Sequence, residues 1–340
     1  MQFHRLTVAE VVKETEDAHS YALCVPDALR AMFHYQPGQH LTFRVNVDGE
    51  DLVRSYSLSS SPETGGPPVV TVKRIAQGRA STWFHTHVRP GTVLDVSAPA
   101  GRFVCDAGTL PLVFCAAGSG ITPVLSMIRS ALATTQRNIT LYYANRDVDS
   151  VIFGHVIDTL AQAYPRRLNV IMHYDTSDGF PHADALAPLL AATGECQLYL
   201  CGPAPFMATV QQAAGQAGIP TGRVHVERFD ASPASRIDVP RVELKADAAC
   251  DAHLTLAGVT HVVRVEGGQS VLHAALAAGL DAPYACEEGY CGSCAAKCLE
   301  GQVALIRNDV FNADDLASGW ILTCQSHPRG DSPLVITFDV

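Results

Sequence analysis

Four cysteines stand close together in the segment YACEEGYCGSCAAKC, residues 284–298. Thiols at that density either bind a metal or form disulfides. The chain has 11 cysteines, and its start, MQFHRLTVAEVVKETEDAHS, predicts an amphipathic strand and a charged turn rather than a signal peptide. We therefore predict a cytoplasmic protein whose thiols are reduced and serve a metal or catalysis. A zinc site usually combines two CxxC or CxxxH units, and here only Cys291 and Cys294 form such a pair.

The spacing of these cysteines favours an iron–sulfur cluster. Cys286-x4-Cys291-x2-Cys294, followed by a distant fourth cysteine, is typical of the ligands of a [2Fe–2S] cluster. Cys324, in WILTCQS, is the predicted fourth ligand. Cys298 does not fit the spacing, and we predict that it is a small buried hydrophobic residue. Reduced structural cysteines are the alternative, but they would leave the spacing unexplained.

The composition of the loop agrees with a cluster site. Gly289 and Gly292 allow the backbone to bend, and together with Ser293 they can aim N–H groups at the cluster sulfurs. With this loop and the preceding run SVLHAALAAGLDAP, residues 242–340 resemble the plant-type ferredoxin domain. The resemblance implies a β-grasp fold and one-electron transfer.

A second group of motifs lies earlier in the chain. RSYSLSS, residues 54–60, ends a predicted strand and taken alone could be a polar strand edge. Four motifs follow it in order: VKRIAQGRASTWF (72–84), AAGSGITPVLSMI (116–128), CGPAPFM (201–207) and HVERF (225–229). Together the five motifs resemble the ferredoxin–NADP reductase-like flavoproteins across residues 1–230. The resemblance implies a flavin domain followed by a nicotinamide domain.

The first two motifs carry groups that suit a flavin. Arg54 offers a planar cationic fork for a phosphate, Tyr56 can lie on the isoalloxazine ring, and Ser57 can hydrogen-bond the reactive N5 edge. Residues 78–81 open a predicted helix, whose unpaired N–H groups suit the flavin phosphates. We favour FAD over FMN. The residues assigned to the flavin are Arg54, Tyr56, Ser57, Leu58, Val72, Gly78, Arg79, Ala80, Ser81 and Phe229.

The third motif suits a dinucleotide. Gly118 and Gly120 form a predicted tight turn after a strand, and Thr122 and Pro123 start the next helix, whose N-terminus can hold a pyrophosphate. A proline at the first helical position loses no needed N–H. Because Pro123 replaces the last glycine of GxGxxG, the dehydrogenase fingerprint is incomplete. The flavoprotein family that the chain resembles has GxGITP here.

The residues after the next predicted strand bear on the choice of nicotinamide. Asn145 and Arg146 are assigned to the dinucleotide, and an arginine there could hold a 2′-phosphate. Asp147 would repel that phosphate and could accept ribose hydroxyls instead. We favour NADH and leave NADPH open.

Three residues are assigned to hydride transfer: Ser57, Cys201 and Glu227. Cys201 lies at the carboxyl end of a predicted strand, where ligands of open α/β sheets bind. The resemblance implies that it borders the nicotinamide–flavin contact, that Glu227 handles protons with Ser57, and that Phe229 shields the flavin face. The dinucleotide site also includes Gly202, Pro203 and Met207.

The elements that must position these residues form three domains. Residues 1–107 read as short alternating strands and predict an antiparallel β-barrel. Residues 108–230 alternate strands with helices and predict a doubly wound parallel sheet. Residues 231–241 are predicted to be a linker, and residues 242–340 form an α+β domain. The chain is therefore predicted to be multi-domain, and His85 and His87 are predicted to be surface residues rather than metal ligands.

Composition excludes some partners. The net charge of −10 argues against a nucleic-acid binder, and the most apolar windows are broken by glycine and proline and are too short to span a bilayer. We predict NAD(P)H and a terminal oxygenase or other electron-accepting protein as partners, and no nucleic acid or membrane.

The domain order predicts an electron-transfer reductase, because a flavin converts a two-electron hydride into single electrons for a cluster. The order resembles reductase components of multicomponent oxygenases, of the phenylacetyl-CoA epoxidase and ketosteroid hydroxylase type; phthalate-type reductases share it but use FMN. A stand-alone NAD(P)H oxidoreductase for another acceptor and a redox-sensing protein are the alternatives.

Overall fold

The computed structural model describes residues 2–229, 249–284, 286–289, 291–308, 310–311 and 313–339. Residues 3–229 form one compact unit, and the described residues from 249 onward belong to a second. The predicted linker 231–241 and the predicted start of the last domain at residue 242 lie outside the described residues. None of the described helices combines the length and the apolar composition that a bilayer crossing requires.

The first part of the large unit is an antiparallel sheet in the order β4-β3-β6-β1-β2-β5. Its strands are β1 (Phe3–Lys13), β2 (Ala18–Cys24), β3 (His40–Val47), β4 (Glu50–Ser57), β5 (Val69–Lys73) and β6 (Val93–Ser97), with one helix, α1 (Arg79–His87). A bridge between Leu58 and Val70 joins the end of β4 to β5, so the two edge strands meet and the sheet curls into a barrel. Phe84 of α1 packs edge-on against Tyr21 and Phe43 inside this barrel. The predicted antiparallel barrel is confirmed.

The second part is a five-stranded parallel sheet in the order β11-β10-β7-β8-β9. Its strands are β7 (Leu112–Ala117), β8 (Ile139–Asn145), β9 (Leu168–Tyr174), β10 (Gln197–Cys201) and β11 (Val224–Glu227). The helices are α2 (Ile121–Thr134), α3 (Gly154–Ala163), α4 (Asp175–Asp178), α5 (Ala183–Ala191) and α6 (Ala204–Gln216). Apolar clusters cover both sheet faces, as a parallel sheet requires. The strand order reverses at β7, which confirms the doubly wound sheet and puts its switch point between β7 and β10.

The second unit is a mixed sheet in the order β13-β12-β18-β14-β16. Its strands are β12 (Cys250–Leu256), β13 (Val259–Val265), β14 (Ala295–Glu300), β16 (Trp320–Leu322) and β18 (Leu334–Thr337), and a separate pair joins β15 (Val303–Leu305) to β17 (Ser326–Pro328). Two helices accompany the sheet, α7 (Val271–Ala277) and α8 (Ala313–Ala317). The Ser270 hydroxyl caps α7 by accepting the His273 N–H. The predicted α+β, β-grasp organisation is confirmed.

The prediction for the two histidines of α1 is half wrong. His87 is exposed and stacks on Trp83, whereas His85 is buried and its Nε2 lies 2.9 Å from the Val72 carbonyl oxygen. His85 and His87 are the third-last and last residues of α1. Residues two positions apart on a helix point to different sides of it. His85 therefore faces the barrel.

Candidate active site

Three strand ends of the large unit converge on one point. Ser57 is the last residue of β4, Cys201 the last residue of β10 and Glu227 the last residue of β11. Cys201 and Glu227 are register partners in the parallel sheet, and the Ser57 hydroxyl hydrogen-bonds to the Glu227 carboxyl. Ser57 and Cys201 are both buried. The structure thus brings together the three residues predicted for hydride transfer, although Ser57 is far from the other two in the sequence.

The surroundings of the Glu227 carboxyl favour its neutral form. Burial raises its pKa to about 8, and the hydrogen bond from Ser57 offsets only part of that rise. Its Oε2 atom is buried and has no hydrogen-bond partner among the described residues. A protonated acid with one oxygen left unpaired fits a site in which a bound ring system supplies the missing polar partner.

The flavin-side residues divide into two groups. Tyr56 packs edge-on against Phe84, with ring centroids 5.1 Å apart, and burial raises the pKa of its hydroxyl. Arg54 is exposed, and among the described residues its guanidinium donates to the Val53 carbonyl next to it in sequence, which keeps its fork at the surface. Arg79 instead forms an ion pair with Glu50 at 2.6 Å, so it ties α1 to β4.

The start of α1 is a tight turn packed around a glycine. Gly78 caps this helix, and a Cβ there would collide with the Ser81 hydroxyl. That hydroxyl donates to the Gly78 carbonyl and accepts the Ile75 N–H, so Ser81 closes the turn with its own side chain. Three other predicted flavin residues have buried side chains within the barrel core and can meet a ligand only through their backbone: Leu58, Val72 and Ala80.

The loop with Gly118 and Gly120, which is predicted to bind the dinucleotide and is called the nicotinamide loop below, lies against the end of β10. A Cβ on Gly120 would collide with the Cys201 carbonyl oxygen, so only glycine lets the loop pass there. Helix α2 begins at Ile121, which makes Pro123 its third residue and not its first as predicted. The proline is still harmless, because the first four N–H groups of a helix have no intrahelical partner. Thr122 donates to the Ser119 carbonyl and closes the same turn.

Lys73 is a residue that sequence reasoning missed. Its ammonium nitrogen, at the end of β5, lies 3.6 Å from where a Cβ on Gly118 would stand. Asp17 holds the ammonium at 3.6 Å. A cation from the barrel therefore borders the loop of the parallel sheet. The sequence signal that could have identified Lys73 is the basic run VKR at the end of a predicted strand. The loop that Lys73 meets, however, lies far along the sequence.

The residues predicted for the adenosine end lie after β8. The Asn145 side chain is buried, and among the described residues neither of its amide atoms completes a hydrogen bond of normal geometry, although the Tyr143 hydroxyl lies nearby. Arg146 is exposed and its Nε lies 2.8 Å from the Asp147 carboxylate. The same carboxylate accepts the Ser150 N–H and caps the following turn. Asp147 is therefore held in place beside Arg146.

The CGPAPFM motif contributes backbone more than side chains. A Cβ on Gly202 would stand 2.9 Å from the Cβ of Ala117, so glycine permits close packing at the switch point. Pro203 precedes α6. Met207 packs inside the core of the sheet and does not join the other predicted dinucleotide residues at its edge. Phe229 is partly exposed at the end of the unit.

The second unit gathers the four predicted cluster ligands in two pairs. The thiols of Cys286 and Cys291 are hydrogen-bonded to each other, and the sulfurs of Cys294 and Cys324 lie 3.3 Å apart. Across the described residues, no three or more His, Cys, Asp or Glu side chains converge as ligands of one metal ion. Two sulfurs for each of two irons is the ligand pattern of a [2Fe–2S] cluster.

Backbone amides point at these sulfurs, as predicted from the glycines of the loop. The Ser293 N–H donates to the Cys291 sulfur at 3.4 Å, and the Glu288 N–H donates to the Cys286 sulfur at 3.4 Å. Such donors stabilise thiolate ligands. Cys298 lies outside this group: it is half-buried on β14, and its thiol donates to the Glu300 carbonyl. The residues present fit a [2Fe–2S] cluster held by four cysteines.

Comparisons with known proteins agree with this geometry. Family models match residues 5–105 as an oxidoreductase FAD-binding domain, 114–212 as an oxidoreductase NAD-binding domain and 254–329 as a 2Fe-2S iron-sulfur cluster binding domain. The 3-ketosteroid-9-alpha-monooxygenase ferredoxin reductase component of Rhodococcus rhodochrous is 42% identical over 96% of this chain and 94% of its own length. A component of the 1,2-phenylacetyl-CoA epoxidase of Escherichia coli is 35% identical over 99% of this chain and 98% of its own length.

Two solved structures have the same fold. Phthalate dioxygenase reductase matches 99% of this chain and 98% of its own, with a TM-score of 0.62 and 27% identity. An intact type IV self-sufficient cytochrome P450 monooxygenase matches 98% of this chain at a TM-score of 0.75 and 28% identity, and the match spans 41% of that longer protein. With FAD-, NAD- and cluster-binding domains in this order, and relatives that align over nearly their whole length, the chain belongs to the family of flavin and [2Fe–2S] reductase components of oxygenases.

Proposed function

We propose that this chain takes a hydride from NAD(P)H at the site formed by Ser57, Cys201 and Glu227 and delivers single electrons to a terminal oxygenase from the cluster held by its four cysteines. When bound, FAD accepts the electron pair of the hydride and the [2Fe–2S] cluster passes the electrons on singly. The buried Ser57–Glu227 hydrogen bond beside Cys201 is the observation that carries the proposal.

Each residue has a role that its surroundings support. The protonated Glu227 carboxyl stores a proton and exchanges it through the Ser57 hydroxyl, which is hydrogen-bonded to it. Cys201 ends the strand at the switch point and fixes the face on which a nicotinamide can approach. The exposed Arg54 and the ammonium of Lys73 supply positive charge for phosphates of the flavin and the dinucleotide.

The surroundings of Arg146 support NADH as the donor. Its guanidinium is already paired with the Asp147 carboxylate, which the capped turn holds in place. A 2′-phosphate would have to approach that carboxylate at the cost of charge repulsion, whereas a ribose hydroxyl can donate to it. We place the protein in the cytoplasm, because no disulfide joins any of its 11 cysteines, all of which the structure describes.

The partner is proposed to be a terminal oxygenase that docks at the cluster loop. The relatives at 42, 35 and 31% identity belong to a ketosteroid monooxygenase, a phenylacetyl-CoA epoxidase and a glycine betaine monooxygenase. Beside the loop, the Glu287 and Glu288 side chains are both exposed and form an acidic pair, in which the Glu287 carboxylate also lies 2.9 Å from the His273 ring. A basic patch on the oxygenase would be steered toward it.

Stopped-flow reduction of the bound flavin by NADH tests the hydride site. Ser57→Ala and Glu227→Gln should each slow the reduction while the flavin stays bound, because neither residue is assigned to the phosphates. Ser55→Ala is the matched control, since this serine lies on the same strand and its hydroxyl bonds to Thr42 instead. Unchanged flavin reduction in a Ser57→Ala/Glu227→Gln double variant would sink the assignment.

Loss of the cluster tests the electron route. A Cys291→Ser variant should still reduce ferricyanide, which takes electrons from flavin, but should lose coupled turnover with an oxygenase. A stand-alone oxidoreductase would turn over a small acceptor through the same cluster without any oxygenase, and a sensor would show no steady turnover with any acceptor.

A further inference from the structure

Gln325 follows Cys324 directly and reaches across the cluster site. Its side-chain nitrogen donates to the Glu287 carbonyl oxygen at 2.8 Å and lies 3.2 Å from the Cys324 carbonyl oxygen. The same nitrogen lies 3.7 Å from the Cys324 sulfur, within hydrogen-bonding range for sulfur. One amide group therefore contacts both the loop that contains Cys286 and the ligand sulfur on the far side of the site.

The loop is shaped to receive this side chain. Gly289 has a φ of +81°, and a Cβ there would stand 2.9 Å from Gln325 Cγ and 3.0 Å from the Arg307 carbonyl oxygen. Glycine therefore lets the loop lie directly over Gln325. Glu287 also has a positive φ, of 56°, a conformation that a residue with a Cβ adopts only when neighbours hold it. The hydrogen bond from the Gln325 side chain to the Glu287 carbonyl oxygen is one contact that holds Glu287 in this conformation.

The backbone of Gln325 is fixed as well. Its carbonyl accepts the Ile306 N–H at 3.0 Å and its N–H donates to the Leu322 carbonyl at 2.9 Å. The side chain is half-buried between these segments and the loop. With its backbone and its side-chain amide both held, Gln325 keeps its donor close to the Cys324 sulfur.

We propose that Gln325 is a positioning residue for the cluster, which latches the Cys286 loop to the Cys324 strand and donates an N–H to the Cys324 sulfur. Reduction adds negative charge to a cluster and its ligand sulfurs, and an N–H donor stabilises that charge. Gln325 therefore raises the reduction potential and slows cluster loss. The inference rests on the proposed function only in requiring that the four cysteines bind a cluster.

Gln325→Met in the full-length, cluster-loaded protein tests the inference. Methionine has a similar length and fills the space over Gly289, but it has no N–H to donate. We expect a more negative midpoint potential in a redox titration followed by electron paramagnetic resonance, and loss of visible absorption in a chelator that is faster by about tenfold or more. Gln302→Met is the control, because Gln302 is an exposed glutamine of the same unit.

A midpoint potential equal to that of the wild type in Gln325→Met would overturn the inference. If that variant assembles no cluster, Gln325→Leu serves instead: leucine is neutral and cannot donate to sulfur, so the potential should again be more negative. A wild-type protein without [2Fe–2S] absorption would contradict the proposed function itself, which separates the two failures.

Discussion

Replacing Glu227 by glutamine should remove a large pH dependence of stability. The carboxyl has a pKa of about 8 in the folded chain, against an ordinary value of 4.5. Below about pH 4.5 the carboxyl is protonated in both the folded and the unfolded chain, so the free energy of unfolding is not reduced. As the pH rises from there, the unfolded chain releases the proton that the folded chain keeps, so the free energy of unfolding falls until the pH passes about 8. The full loss is worth about 5 kcal/mol, and about 3 kcal/mol is already lost at pH 7.

Urea unfolding of the flavin-free protein between pH 5 and pH 9 measures this loss. A neutral amide of the same shape does not ionise, so Glu227→Gln should gain on the wild type as the pH rises and should be the more stable protein at pH 9. Glu195→Gln is the matched control, because that carboxylate is exposed and its contact with Arg223 is long at 3.6 Å. In the same pH range, the rate of flavin reduction by NADH should show an ionisation near pH 8 that the Glu227→Gln variant lacks.

The outcome that refutes the reasoning is a stability difference between the wild type and Glu227→Gln that does not change with pH. That result would mean that the carboxyl is ionised in the folded chain, and a charged Glu227 could not donate a proton through Ser57 at pH 7. A pH-dependent difference of equal size in Glu195→Gln would also refute it, since the effect would then not depend on burial.

Three other substitutions test the rest of the site. Cys291→Ser should abolish the visible absorption of the cluster, whereas Cys298→Ser should keep it, because the Cys298 thiol bonds to a carbonyl outside the loop; the opposite pattern of absorption and iron content would mean that the ligands are misassigned. Gly120→Ala should lower kcat/KM for NADH by about tenfold or more with flavin content unchanged, since the methyl group must displace the Cys201 backbone; normal kcat/KM would place the dinucleotide elsewhere. Glu288→Gln should raise the oxygenase concentration for half-maximal coupled turnover at low salt but not at high salt, with ferricyanide reduction as the control, and turnover insensitive to salt would argue against docking at this edge.

The features predicted best from the sequence are those that short stretches of chain encode. Three of the four predicted cluster ligands lie within one loop, so their spacing alone indicates how many sulfurs it can present, and the structure places the four sulfurs in two pairs. Alternating strands and strand–helix repeats likewise predict the barrel and the parallel sheet, because each pattern reflects which face of an element is buried. These architectures are confirmed.

Contacts between distant residues were predicted less well. His85 is predicted to be a surface residue because the HxH pair has no further acidic or histidine partner nearby in sequence, but the helix turns His85 toward the Val72 carbonyl. Lys73 was overlooked for the same reason: the loop it borders lies in another sheet. In each case the deciding partner is far away in sequence and leaves no local pattern.

The proposed hydride site requires the barrel and the parallel sheet to keep a fixed relative position, and α2 links the two. Its first turn follows the nicotinamide loop, while further along the helix the Ser126 hydroxyl donates to the Ser60 carbonyl and the Arg129 guanidinium donates to the Ser59 carbonyl. Those carbonyls lie just after Ser57. One rigid helix thus joins the loop that would hold the dinucleotide to the strand end that would meet the flavin. A shift that let water reach the Glu227 carboxyl would lower its pKa toward the ordinary value and release its proton. The link through α2 therefore also preserves the protonated acid.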